Sequence, residues 1–197
     1  MAAPYPADRL AAVLCEAALP PTYRIFPERF LQTPLGTAPG DSRFCAQADG
    51  FSLLYSTSDL ATGFVEVIVR DRFTAQAPRE IRLKEVTQRA WAQISTLPGT
   101  QLNLLDLRQE GCVKMGIPTD AVKARNHAAG RALGRTLYKH HGQVDGILFS
   151  SRLTGEDVYA IFDRALDKLS VMDTGWLAEH PELPAILSRF DMRLKTG

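Results

Sequence analysis

Five polar side chains stand where the surrounding sequence is apolar or closes an apolar run. Arg24 lies inside Thr22-Tyr23-Arg24-Ile25-Phe26, and Arg43 inside Ser42-Arg43-Phe44. Tyr55 follows Leu53-Leu54, Glu66 is enclosed by Val65 and Val67, and Ser151 comes just after the run Val144–Phe149. By type they supply two guanidinium groups, a phenol, a carboxylate and a hydroxyl. No histidine is near Ser151 in sequence to activate it, so it does not read as a nucleophile. Each also has a plain structural account. Arginine lays its stem along apolar surface, tyrosine serves as a core aromatic with a satisfied hydroxyl, glutamate sits on a solvated helix edge, and serine caps or turns a chain. Residue type and spacing alone leave the function open.

The familiar signatures are missing. The chain has no GxxxxGK[ST] phosphate loop, no GxGxxG after a strand, no HExxH and no GxSxG. Gly130-x-x-x-Gly134 lies beside Arg131 and Arg135, which does not suit a membrane dimer motif. His140-His141 closes an expected helix, where cations suit the dipole, so no metal site is expected.

At 197 residues the chain is most simply one domain. Lys plus Arg number 23 against 22 Asp plus Glu, so no bulk charge draws it to nucleic acid or membrane. Cys15, Cys45 and Cys112 are widely spaced and odd in number, which fits free thiols in a reducing cytoplasm. Leu10–Cys15 faintly resembles a lipoprotein signal, but it has no basic segment before it and a large Leu14 where a small residue is expected. The segment is also too short to span a bilayer.

The elements that must position the five side chains follow from periodicity. A helix is expected over about residues 8–18, stopped by Pro20-Pro21. A strand follows at 22–26, and then a long loop over 31–50 rich in Pro and Gly. The segment 53–57 reads as a strand and Ser56–Asp59 as a capping cluster. The helix after it carries Leu60, Phe64, Val67 and Ile68 on one face. Gly63 inside that helix costs about 1 kcal/mol relative to alanine, a cost that close approach of another backbone would explain. Residues 79–88 fit helix or strand equally. Strands are expected at 91–96, 102–107, 144–149 and 158–162, with a helix from Thr119 or Asp120 to about His140 and another over 184–190. Without a regular βαβ alternation the class is α+β.

The order and spacing of the five residues resemble the RES domain family, named for its arginine, glutamate and serine. Tyr23-Arg24-Ile25 is similar to its arginine strand, and Ser42-Arg43-Phe44 to its second arginine element. Leu54-Tyr55 is similar to its Leu-Tyr strand, and Phe64-Val65-Glu66-Val67, with Glu66 eleven positions after the tyrosine, to its glutamate helix. Asp145–Arg152 resembles the strand ending in Tyr-Pro-Ser-Arg, with Phe149-Ser150 in place of Tyr-Pro, so Ser151 is the first choice for the serine and Ser150 the fallback. Tyr159–Asp163 resembles the strand that follows.

The resemblance implies a single α+β domain with a mixed, mostly antiparallel β core flanked by helices, similar to ADP-ribosylating toxins. It divides into an N-terminal helix (1–21), a core (22–165) and a helical C-terminal extension (166–197) packed on the same domain. It implies a toxin that cleaves the nicotinamide–ribose bond of NAD+ as a glycohydrolase or phosphorylase. NAD+ is then substrate, with no prosthetic group. The alternatives are an ADP-ribosyltransferase acting on a protein and a non-catalytic interaction protein of the same fold. The implied partner is an Xre-like antitoxin, and the acceptor is water, inorganic phosphate or a protein. Arg24 and Arg43 are implied pyrophosphate ligands. Tyr55 would border the nicotinamide, Glu66 would steady the developing cationic ribose, and Ser151 would hold the nicotinamide amide or ribose.

Overall fold

The computed structural model describes residues 5–73 and 79–196; residues 1–4 of the expected N-terminal helix and residue 197 of the expected extension lie outside them. Helix α1 is short (Ala7–Ala11). The chain then turns extended as β1 (Leu14–Ala17), which pairs antiparallel with residues 102–105. The helix expected over 8–18 is therefore wrong in its second half. An open sheet edge needing a partner outweighs the weak local preference of Leu-Cys-Glu-Ala.

Strand β2 (Thr22–Pro27) runs into a single 3-10 turn (Glu28–Phe30) and then the long loop, which contains a second (Gln47–Asp49). Strand β3 (Leu53–Thr57) ends at the polar cluster. Asp59 then caps α2 (Leu60–Phe64), its carboxylate accepting from the Thr62 N–H at 2.7 Å and the Thr62 hydroxyl at 3.0 Å. The helix does not continue as α. Residues Val65–Val69 form one π turn, closed by the Arg70 N–H donating to the Val65 carbonyl at 2.7 Å.

The undecided stretch after it is both elements in turn, β4 (Arg79–Arg82) and α3 (Lys84–Thr87). Strands β5 (Arg89–Thr96) and β6 (Leu102–Asp106) follow, and then α4 (Gly111–Met115). The helix expected from residue 119 to 140 is broken into α5 (Asp120–Lys123) and α6 (Ala128–His140). Ala124 is extended between them, and the Asn126 side chain accepts from the Ala128 N–H at 2.9 Å, starting the second helix. The buried face of α6 runs through Gly130, Leu133, Gly134 and Leu137, while Ala128 and Ala132 are exposed.

The remaining elements are β7 (Gly146–Ser150), β8 (Asp157–Phe162), β9 (Leu169–Trp176), α7 (Leu183–Arg189) and β10 (Met192–Lys195). Eight strands form one sheet in the order β1-β6-β7-β8-β3-β2-β5-β9, and β10 pairs with β4 apart from it. Only β6 and β7 run parallel in the large sheet. The expected α+β class with a mixed, mostly antiparallel core is thus the fold observed. The C-terminal segment, however, is not a purely helical extension. It supplies β9, paired along β5, so the segment completes the sheet instead of merely covering it.

Side-chain alternation divides the core. On one face Phe44, Phe51, Leu105, Ile147, Phe149, Ala160 and Phe162 pack under α6. On the other Leu54, Ile94, Leu104, Leu148 and Ile161 pack together. A third cluster seats α2 and α7 through Leu60, Phe64, Ile68, Leu177 and Ile186. Two aspartates of the RES-like motifs are structural: Asp145 accepts from the Asn103 N–H and Lys168, and Asp163 from Ser52 and Tyr138.

One interruption of the sheet positions everything functional. Strands β2 and β3 are neighbours, yet their ladder is a single residue pair, Tyr23 with Thr57. Each is fully paired on its other side, β2 along β5 and β3 along β8. Beyond that pair the two strands diverge, and a cavity opens between them.

Candidate active site

The cavity has a volume of about 570 Å³, inside the range of about 300–1,000 Å³ common for small-molecule sites. Its lining includes Arg24, Arg43, Tyr55 and Glu66, four of the five side chains singled out from sequence. The fifth, Ser151, lies directly behind Glu66. Its hydroxyl donates to Glu66 Oε1 at 2.6 Å.

Glu66 is the second residue of the π turn (Val65–Val69) that follows α2; single π turns of this kind are frequent at functional sites. Arg70 ends the turn at a φ of 48°, an uncommon conformation for a non-glycine residue. Its Nε donates to the Glu66 carbonyl at 3.1 Å, tying the turn off.

Ser151 is held by a tight turn. Its Oγ accepts from the N–H groups of Leu153 and Thr154, both at 3.1 Å, while the Ser151 carbonyl accepts from Gly155 at 3.0 Å. Gly155 has a φ of 83°, which explains the glycine there. A serine hydroxyl has one proton and two lone pairs; both lone pairs are engaged and the proton is given to Glu66. Ser151 is therefore buried, and its hydroxyl faces Glu66 instead of the cavity. This differs from the expected contact with nicotinamide or ribose. Ser150 ends β7 and takes no part in this contact. Thr62 of α2 and Thr154 share a hydrogen bond at 3.2 Å, so the serine turn and the glutamate helix are fastened to each other.

Tyr55 points from β3 into the loop that carries Arg43. Its hydroxyl is 2.9 Å from Ser42 Oγ and accepts from the Phe44 N–H at 3.3 Å. Burial pushes the phenol well above its usual range, so it stays protonated. On the far side of the same loop, Gly130 and Gly134 let α6 approach the backbone. A β-carbon at Gly134 would meet the Phe44 carbonyl oxygen at 1.8 Å, and one at Gly130 the Arg43 carbonyl oxygen at 2.5 Å. The GxxxG pattern is a seat for the Arg43 segment. Gly63, by contrast, gives room to the Thr57 hydroxyl and the Ile25 side chain, not to a backbone as expected.

The two arginines differ. Arg43 donates one bond to the Ala124 carbonyl at 2.9 Å. Burial lowers its pKa, and the neighbouring Glu66 and Tyr55 partly offset that effect. Arg24 donates to the carbonyls of Pro34 at 2.6 Å and Gly36 at 2.9 Å, and burial lowers it to about 10. It remains charged at neutral pH and fastens the long loop as well as lining the cavity. Five arginines and three carboxylates line the cavity in all, a cationic excess suited to an anionic ligand. Sequence reasoning missed Asp71, Arg125 and His127 in this lining; none lies on a periodic element, so nothing local marked them. Among the described residues no group of three His, Cys, Asp or Glu side chains is arranged to hold a metal ion, all three cysteines are free, and no helix is long and apolar enough to cross a membrane.

The sheet is thus parted at β2/β3, with a glutamate just after the following helix and a serine behind it. The chain belongs to the RES domain family, whose family model matches residues 21–184. It is 44% identical over 94 residues to the probable toxin y4kH of Sinorhizobium fredii, a match covering 47% of this chain and 74% of that protein. Its fold is similar to a chain in the crystal structure of the M. tuberculosis MbcT-MbcA toxin-antitoxin complex, with a TM-score of 0.67 over 93% of this chain and 94% of that one. Identity there is 16%, so that likeness is one of fold.

Proposed function

We propose that this protein is the toxin of a toxin–antitoxin pair and cleaves the nicotinamide–ribose bond of NAD+. The observation that carries the reading is the Ser151–Glu66 contact in an arginine-lined cavity of dinucleotide-binding size. Membership of the RES family, a relative named as a probable toxin and a fold neighbour from a toxin–antitoxin complex support the toxin role.

The reaction needs little from the protein beyond placement and one negative charge. As the glycosidic C–N bond breaks, its electron pair stays with the pyridinium nitrogen, which becomes neutral nicotinamide. No general acid is required. Positive charge grows on the ribose, as in other glycosyl transfers. Glu66, held by the Ser151 proton, opposes that charge from a fixed position, and a carboxylate already oriented need not reorganise as the charge develops. Water then attacks the ribose carbon and releases a proton to solvent, or inorganic phosphate attacks it through an oxygen that is already ionised. Arg43 and the other arginines hold the diphosphate. Ser151 acts through Glu66 and is a positioning residue.

NAD+ incubated with purified protein, with and without inorganic phosphate, should release nicotinamide. ADP-ribose would mark hydrolysis, and a phosphorylated ADP-ribose would mark phosphorolysis. Adenylate label appearing on a protein band instead would favour the transferase alternative. If wild type and Glu66→Ala release nicotinamide equally slowly, the enzymatic reading fails.

A further inference from the structure

Asp71 follows the strained Arg70, at the end of the π turn, and two arginines converge on it. Arg152 Nη2 lies 2.6 Å from Asp71 Oδ2, and Arg125 Nη2 lies 3.6 Å from Asp71 Oδ1. The three residues come from the π-turn exit, the serine turn and the gap between α5 and α6, and all line the cavity. Asp71 is 39% exposed and Arg125 70%, which places the cluster at the cavity mouth, in reach of solvent.

A carboxylate between two guanidinium groups leaves one positive charge uncompensated. Arg152 also acts on Arg43, whose pKa its charge helps to lower, so the positive field runs inward from the mouth. Ion pairs this exposed are weak. A ligand with more negative charge than a carboxylate, and with oxygens spaced for a planar fork, competes with the carboxylate for both guanidinium groups.

We propose that Arg152 and Arg125 form a phosphate clamp, and that Asp71 is the resident anion that keeps the pair gathered until the ligand replaces it. The ligand class is a nucleoside diphosphate, bound through its phosphoryl oxygens. That this diphosphate belongs to a substrate rests on the functional reading above; the clamp itself does not.

The test is calorimetric titration of wild type, Arg152→Ala, Arg152→Lys and Asp71→Asn with ADP-ribose, and in a parallel arm with inorganic phosphate. Melting curves establish that each variant is folded, and Arg152→Lys retains charge and most of the packing. ADP-ribose should bind wild type, more weakly at higher salt. Arg152→Ala should weaken it about tenfold, as expected for loss of a charged hydrogen bond. Arg152→Lys should lie between the two, and Asp71→Asn should tighten binding severalfold. Inorganic phosphate should bind more weakly than ADP-ribose to every form.

Absence of ADP-ribose binding to wild type overturns the proposal, as do equal affinities in all four proteins. Weakening by Asp71→Asn as large as that by Arg152→Ala also overturns it, since Asp71 would then only hold Arg152 in place. Tighter binding of inorganic phosphate than of ADP-ribose would move the clamp to a free-anion site and reject the diphosphate. If the titrations behave as expected but NAD+ releases no nicotinamide, the functional reading fails and the clamp stands. Nicotinamide release with unchanged KM in Arg152→Ala gives the reverse.

Discussion

Gly134 of α6 packs on the backbone of Phe44 so closely that any β-carbon there would collide with the Phe44 carbonyl. Phe44 is fully buried, and the residue before it is Arg43. The helix and the arginine of the cavity are thus a single mechanical unit. Gly134→Ala must push the loop or the helix aside, and overpacking of this kind costs about 1–3 kcal/mol or more. Chemical denaturation should show that loss, while Gly142→Ala, with nothing within 4 Å of its β-carbon, should be near neutral. Equal stability of the two variants would contradict the close seat.

The Ser151–Glu66 bond predicts unequal losses. Glu66→Gln removes the charge that opposes the cationic ribose, and nicotinamide release should fall about a hundredfold or more. Ser151→Ala leaves the charge but frees its direction, and the fall should be smaller, about tenfold. It should appear in kcat more than in KM. A Ser151→Ala loss as large as that of Glu66→Gln would make the serine a direct participant.

Tyr55→Phe separates framework from contact. The change leaves the Phe44 N–H without its acceptor, and an unpaired buried donor costs about 1–3 kcal/mol. Thermal melting should therefore drop. If the ring borders the nicotinamide, the phenyl group keeps that surface, and KM for NAD+ should move less than twofold, a shift of only about 0.4 kcal/mol.

His180 predicts how stability depends on pH. It is buried, in edge contact with Trp91 at 4.5 Å, and its Nδ1 accepts from the Glu182 N–H at 3.1 Å. Burial lowers its pKa below the usual histidine value, and His127 and His141 are lowered by the same cause. Below about pH 6.5 the unfolded chain therefore binds more protons than the folded one, so stability is lost as pH falls through the folded pKa values. Tm should decline between about pH 7 and pH 5. His180→Asn keeps an acceptor without titrating, so it should flatten part of that decline. An unchanged pH profile in the variant would show that His180 carries none of it.

The sequence shows some of this architecture clearly and some of it not at all. Strands β2, β3, β5, β7 and β8 carry apolar runs or alternation bounded by turn residues, and the structure has them close to where they are expected. Edge elements carry no such local signal. Strand β1 exists because β6 offers it a ladder, and β9 exposes Val171, Met172, Asp173 and Thr174 in succession, without the alternation that marks a half-buried strand. The break before α6 rests on one capping side chain, Asn126. In the cavity, Tyr55 and Glu66 were legible because they are close in sequence and flank a short strand-to-helix junction. Asp71 and Arg152, 81 residues apart, meet only through the folded chain. The π turn was equally hidden: its five residues read as ordinary α-helix, and only the backbone geometry distinguishes the two.

The parting of β2 and β3 has a consequence for how this molecule meets others. Strand edges with open backbone groups are adhesive, and on a sheet's rim they recruit foreign strands. Here the two edges face each other across an internal slot, each anchored by a full ladder behind it. A stray strand would have to enter between arginines and wedge the slot wider, against both ladders. A small planar amide meets no such obstacle. The fold thereby keeps these two edges inside the sheet, away from the rim where a foreign strand could add to them.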